Sequence, residues 1–283
     1  MMGGKIMQNR EISLDEMKKI ELNTLKEIHR ICEEQGLRYS LAGGTLLGAI
    51  RHGGFIPWDD DVDLMMPRPD YNKFIEYCMN HETAFRLICT ETEEGYGYIF
   101  AKAVDPRTSV IEHNGNRGHV DMGVFVDIFP IDGLANDLET AKKNYNKKRF
   151  PRELLIAYNW THYFRSKTRS IIYEPIRLAF YLLSRFAKPR KLIGKIQKQY
   201  PPAAFEKYDY VCSIGGAYRT KEIMRKEVYL EYTELEFEDC RFKAVRNYHE
   251  YLSGIYGDYM KLPPEEKRVT HHTFTAYYKE NDQ

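Results

Sequence analysis

Residues 39–66 read Tyr39-Ser40-Leu41-Ala42-Gly43-Gly44-Thr45-Leu46-Leu47-Gly48-Ala49-Ile50-Arg51-His52-Gly53-Gly54-Phe55-Ile56-Pro57-Trp58-Asp59-Asp60-Asp61-Val62-Asp63-Leu64-Met65-Met66. Residues 39–42 form a short apolar strand, and the Gly43-Gly44 pair follows at once. Residues 45–51 have the composition of a short helix, closed by Gly53-Gly54. Val62, Leu64, Met65 and Met66 mark a second strand, which Pro67 is expected to stop. Side chains alternate along a strand, so Asp59, Asp61 and Asp63 are predicted on one face and Asp60 on the other, with successive members roughly 6.6 Å apart. Carboxylates that close repel one another, and an apolar strand is a costly place to ionise them. A divalent cation removes the conflict, because Mg²⁺ (or Mn²⁺) takes carboxylate and phosphate oxygens. A solvated acidic turn would carry the same letters, but the Leu-Met-Met that follows argues for a buried strand end.

On the N-terminal side, Ser13 and Glu16 read as a capping box. Met17, Ile20, Leu25, Ile28 and Ile31 then keep helical spacing up to Gly36. On the other side a helix begins near Asp70, followed by strand candidates at 85–89, 98–104 and 108–111. The strongest strand is 124–129, an apolar run interrupted only by Asp127 and closed by Pro130. A lone carboxylate in mid-strand is expensive to bury. Asp127 therefore either completes a cluster with Asp61 and Asp63, if the two strands are neighbours, or pairs with a buried Arg or Lys. Asp121 and Asp132, near turns, read as ordinary polar residues. From 137 to about 200 the pattern is helical, ending at Pro201-Pro202. Residues 223–230 and 237–245 are mixed, and 247–255 are helical. The expected organisation is an α+β catalytic core (1–136), a basic helical insertion (137–210) and a C-terminal segment that returns to complete the site (211–283).

The net charge of +1 over 283 residues hides an asymmetry. Residues 160–200 hold ten Lys or Arg and one acid, Glu174, interleaved with Ile, Leu and Phe. Such a segment fits either peripheral contact with an anionic lipid surface or a packed helix with a solvated basic face. Nothing resembles a base-reading module, so no nucleic-acid partner is expected. The five cysteines form no C-x-x-C pair, which fits a reduced, cytoplasmic compartment and gives a zinc site no support. No signal-peptide core is visible, and no run reaches the ~18 apolar residues that span a bilayer. Location in the cytoplasm, at most at the inner face of the membrane, is the expectation.

The stretch 41–63 closely resembles the signature of the LicD family, which is related to fukutin and fukutin-related protein within the nucleotidyltransferase-fold superfamily. The resemblance is dense over 39–74 and recurs at 102–112, 124–134 and 256–272. Asp61 and Asp63 match the D-x-D of the superfamily. Asp127, in Asp-Ile-Phe-Pro, matches its third acid, and Asp59 looks like the additional acid of this branch. The resemblance implies a mixed sheet flanked by helices. It also implies Mg²⁺-dependent transfer of a phospho-headgroup, foremost phosphocholine from CDP-choline, to a sugar hydroxyl of a teichoic acid or lipopolysaccharide precursor, commonly lipid-linked, with release of CMP. Ribitol or glycerol phosphate donors fit the same pattern. Asp61 and Asp63 would hold the ions, and Asp127 a second ion or the hydroxyl proton. Gly43, Gly44 and Thr45, at a helix start, suit a phosphate, and Arg51, His52, Lys102, Arg268, His271 and His272 are candidates to complete that site. Two readings compete: nucleotidyl transfer to a small molecule, and a non-catalytic nucleotide- or glycan-binding relative. Retention of all three acids disfavours the second.

Overall fold

A computed structural model describes residues 10–166, 170–270 and 274–279. His271 and His272 lie outside the described residues. The first helix, α1 (Leu14–Gln35), carries the expected box: Glu16 N–H donates to Ser13 Oγ at 3.3 Å, and Ser13 N–H donates to the Glu16 carboxylate at 3.0 Å. Gly36 closes it at φ +61°, a left-handed conformation that suits glycine. After it come β1 (Ser40–Leu41), α2 (Gly43–His52), β2 (Val62–Pro67) and α3 (Arg68–Asn80). Pro67 does end its strand, but α3 starts at Arg68, earlier than Asp70.

The strands β3 (Arg86–Ile88), β4 (Ala101–Val104), β5 (Thr108–Glu112) and β6 (Phe125–Ala135) follow. Pro130 does not close the last of these. It faces Met66 in β2, while on the opposite edge β4 reaches only to Ile128 and the next neighbour begins at Ile131. A residue without an N–H is tolerated at such a gap. The strand therefore runs five residues beyond the proline.

Among the described residues, five α-helices then intervene: α4 (Leu138–Lys147), α5 (Arg149–Asn159), α6 (Glu174–Ser184), α7 (Pro189–Gln197) and α8 (Ala203–Lys207), the last lying beyond the expected stop at Pro201-Pro202. The chain returns through β7 (Tyr210–Ser213) and β8 (Met224–Arg225). The segment read as mixed is a hairpin of β9 (Tyr232–Phe237) and β10 (Cys240–Val245), followed by α9 (Tyr248–Tyr256) and β11 (Phe274–Tyr278).

The main sheet has seven strands in a path β1-β2-β6-β4-β3, with β7 and then β8 continuing from the far half of β6. The β2–β6 pair is parallel and the other pairs are antiparallel, so this α+β sheet is mixed. Its core includes the buried Leu25, Ile28, Leu46, Leu64, Phe74 and Val126. A second cluster lies under the β5–β11 pair, and a third joins α4, α5 and α7 to β6 and β7. The ends of this framework meet: Ile12 N–H donates to Ala276 O at 2.8 Å and Tyr278 N–H to Arg10 O at 2.9 Å. Among the described residues, no helix is long and apolar enough to cross a membrane.

Candidate active site

The turn from β1 into α2 positions everything else. Gly43 adopts φ +50°, and a Cβ there would sit 3.1 Å from Asp63 Oδ2. At Gly44 a Cβ would lie 2.5 Å from Asp59 Oδ2. The two glycines thus leave room for two carboxylates against the first turn of α2, the end where a helix favours negative charge. Asp63 is fixed there through its backbone. Its N–H donates to Thr45 Oγ1 at 2.8 Å, and its carbonyl accepts from Ala42 N–H at 2.9 Å. Thr45, expected to meet a substrate phosphate, is buried and holds Asp63 instead.

The chain before β2 is not extended. Asp59 N–H bonds back to Ile56 O at 3.0 Å, and β2 starts only at Val62. Strict alternation therefore fails: Asp59, Asp60 and Asp61 bring carboxylate oxygens within 4.8 Å of one another, with Asp60 buried. Asp63 is the first acid inside the strand, and in the parallel register it sits directly beside Asp127. Register partners share a face, and the pairing expected as the alternative for Asp127 is present. Asp127 neighbours Asp63, and it pairs with the buried Lys102, Nζ to Oδ1 at 2.5 Å. Lys102 is its cross-strand partner in β4, and its ammonium lies 3.4 Å from the centre of the Phe125 ring.

Loss of water raises the Asp63 carboxyl well above its ordinary value, and Asp61, Asp127 and Asp59 push the same way while Lys102 opposes them. Two further acids are buried. Glu21 on α1 is buried with one carboxylate oxygen lacking a hydrogen-bond partner. Burial first, then the charges of Asp61 and Asp60, raise its pKa strongly. Glu222, in the turn after β7, accepts Tyr218 N–H at 2.8 Å, and burial pushes its carboxyl up to about 7. It shares a small hollow with Gly43, Asp63 and Tyr218.

The acids open into a cleft of about 640 Å³, walled by Gly43, Gly44, Asp59, Asp61 and Asp63 on one side. Trp58, Tyr218, Tyr256 and Tyr259 supply aromatic walls, and Arg51, Lys261 and Lys267 supply cations. Tyr218 donates its hydroxyl to that of Tyr256 at 3.1 Å. Arg51 spends one N–H on Tyr259 O at 3.1 Å, while its Nε is buried without a partner. His52 stands edge-on to Trp58 at 6.3 Å, and the Arg268 guanidinium lies 5.5 Å from the Trp58 ring centre, held by Pro263 O at 2.9 Å. Neither lines the cleft, whereas Lys261 and Lys267, which sequence reasoning passed over, do. Asp132, read as an ordinary polar residue near a turn, lies instead inside β6, buried, and pairs with Arg68 through two bonds of 2.7 and 2.8 Å.

The chain is similar to known proteins. The domain family described as "LicD/FKTN/FKRP, nucleotidyltransferase domain" matches residues 36–163. Lipopolysaccharide cholinephosphotransferase LicD of Haemophilus influenzae is 34% identical over 277 residues, covering 95% of this chain and 99% of that protein. Human ribitol 5-phosphate transferase FKRP is 34% identical over 118 residues, 40% of this chain but 22% of that protein. Mannosyltransferase regulator 4 of Saccharomyces cerevisiae is 26% identical over 141 residues, 48% of this chain and 12% of that protein.

Proposed function

The chain belongs to the LicD family of transferases, and from that premise we propose that it moves phosphocholine from CDP-choline to a sugar hydroxyl of a cell-surface glycan precursor. The acceptor in this reading is of the lipopolysaccharide or teichoic acid type, reached from the cytoplasmic face of the membrane. The observation that carries it is the set of acids gathered at the start of α2, inside a cleft with aromatic and cationic walls.

The donor set fits a hard divalent cation, Mg²⁺ or Mn²⁺. It consists of carboxylate oxygens, and Gly44 lacks the Cβ that would push the Asp59 carboxylate away. Asp59, Asp61, Asp63 and Asp127 are the residues that would hold it. A bound cation would offset the charge of the transferring phosphoryl group and of the leaving phosphate.

The protein's own groups do the rest. Arg51, Lys261 and Lys267 line the cleft for the diphosphate, and the N-terminal end of α2 adds its dipole. Trp58, Tyr218, Tyr256 and Tyr259 offer π faces to a trimethylammonium headgroup. Asp127, which has Lys102 on one oxygen and Asp63 as its strand neighbour, would hold a second ion or, in that ion's place, receive the proton of the sugar hydroxyl. The hydroxyl oxygen then bonds to the β-phosphorus, and the bond to the bridging oxygen breaks with its electron pair leaving on CMP.

Incubation with CDP-choline, Mg²⁺ and a glycan acceptor should release CMP. Pyrophosphate released from CTP would indicate nucleotidyl transfer instead, and tight CDP-choline binding without turnover would indicate a binding protein. Asp61→Ala and Asp63→Ala should each retain less than about a tenth of wild-type kcat while staying folded. Retention above that level by either variant overturns the assignment.

A further inference from the structure

Helix α6 is turned inside out. Its inward stripe is polar: Glu174 receives the Tyr163 hydroxyl at 2.5 Å and Ser166 N–H at 3.1 Å. One turn on, Arg177 lies 4.6 Å from the Trp160 ring centre and donates to Phe164 O at 3.1 Å. Ser184 donates to Ala157 O at 3.1 Å, and Arg185 caps the carbonyls of Ala157, Tyr158 and Trp160. The outward stripe is apolar. Ile176, Leu182 and Leu183 on the helix are exposed, and so are Ile172 just before it and Phe186 just after it, at 78% and 89%. A helix beside a folded core ordinarily buries its apolar stripe and shows the polar one to water. Contiguous exposed apolar side chains on this scale mark an interaction surface.

Charge identifies the occupant. The one acid in residues 160–200 is Glu174, and it faces inward. Beyond the ridge the chain continues through the exposed Lys188, Arg190 and Lys191, within a few residues of Phe186. An apolar stripe with cations at its end and no outward acid matches an anionic lipid surface. The ridge also borders two hollows. Ile176 and Trp160 line a groove of about 430 Å³, and Trp160, Glu153 and Arg219 are shared with a second hollow of about 460 Å³. Ala217 lines both that hollow and the acidic cleft.

We infer that α6 and the turn after it lie on an anionic membrane, with Ile172, Ile176, Leu183 and Phe186 in the acyl boundary and Lys188, Arg190 and Lys191 among the headgroups. The inference gives the proposed transfer reaction a lipid-anchored acceptor, but its test needs neither donor nor acceptor, so the two readings fail separately. Phosphatidylcholine vesicles with and without phosphatidylglycerol are sedimented with the full chain. Wild type should bind the anionic vesicles, and less so as salt rises.

Replacing Ile172, Leu183 and Phe186 together by Ser should weaken binding by a hundredfold or more, roughly, with the thermal transition unchanged. Lys188→Glu, Arg190→Glu and Lys191→Glu together should weaken it at least about tenfold at low salt. Arg185 is left intact because it caps carbonyls. Failure of wild type to bind, or equal binding by the Ser variant, overturns the inference. So does a wild-type dimer in solution that the Ser variant converts to monomer, because a second copy would then cover the ridge.

Discussion

Gly44 and Asp59 constrain each other: the carboxylate occupies the space that any side chain at position 44 would need. Gly44→Ala must displace Asp59, and because that carboxylate is short-tethered, the acid cluster moves with it. The expected result is a folded protein with turnover reduced about tenfold or more, read by CMP release alongside a melting curve. Glu222 makes a prediction in pH. Its folded pKa of about 7 lies above the ordinary carboxyl value, so the unfolded chain loses its proton first as pH rises. Stability from this group is complete below about pH 4.5 and declines until about pH 7, by on the order of 3 kcal/mol. Glu222→Gln should therefore be more stable than wild type at pH 8, and the difference should vanish near pH 4 in urea titrations. Asp63 and Asp127 stood out because an acid inside an apolar strand demands a partner, whereas Asp61 lies before β2, where the expected alternation fails. Glu222 did not stand out, because its burial depends on Gly216 and Tyr218 folding over it. Glu21 left a trace: it falls four residues after Met17 and four before Leu25, a core position in the stripe of α1.

Among the elements, β6 organises the molecule. Its first half places Asp127 between Asp63 and Lys102, and its second half carries Asp132 to Arg68 at the start of α3. The Arg68–Asp132 pair is almost fully buried, so removing one partner strands the other charge. Arg68→Ala should cost about 3–5 kcal/mol in denaturant unfolding, whereas Arg68→Met with Asp132→Leu should recover most of it. A small loss for the single variant would show that water reaches Asp132. The sequence marks the first half of β6 plainly. It hides the second, because Pro130 reads as a stop and only the gap between β4 and β7 excuses it. The orientation of α6 was equally hidden: its letters give an amphipathic pattern, and which stripe faces inward depends on Trp160 and the carbonyls of α5.

At the scale of the whole molecule, the strand pair β5–β11 draws the far end of the chain onto the catalytic half. Ala276 packs there with Ile12, Val110 and Met122. Truncation after residue 273 would uncover this cluster and leave β5 without its partner. The expected loss is on the order of 3–5 kcal/mol, measured by urea unfolding. An unchanged midpoint would mean that β11 adds nothing to the core. The return of the C-terminal segment was expected from the sequence, but its partner was not, since 274–278 pairs with a strand more than a hundred residues away and no local pattern records that distance. The same seam sets Arg10 against Tyr278, the guanidinium 4.4 Å from the ring centre. Within the described residues the polypeptide therefore nearly closes into a ring. A circular permutant that joined this corner with a short linker and opened at an exposed turn would keep every strand pair, so gene order could be rearranged without rebuilding the cleft.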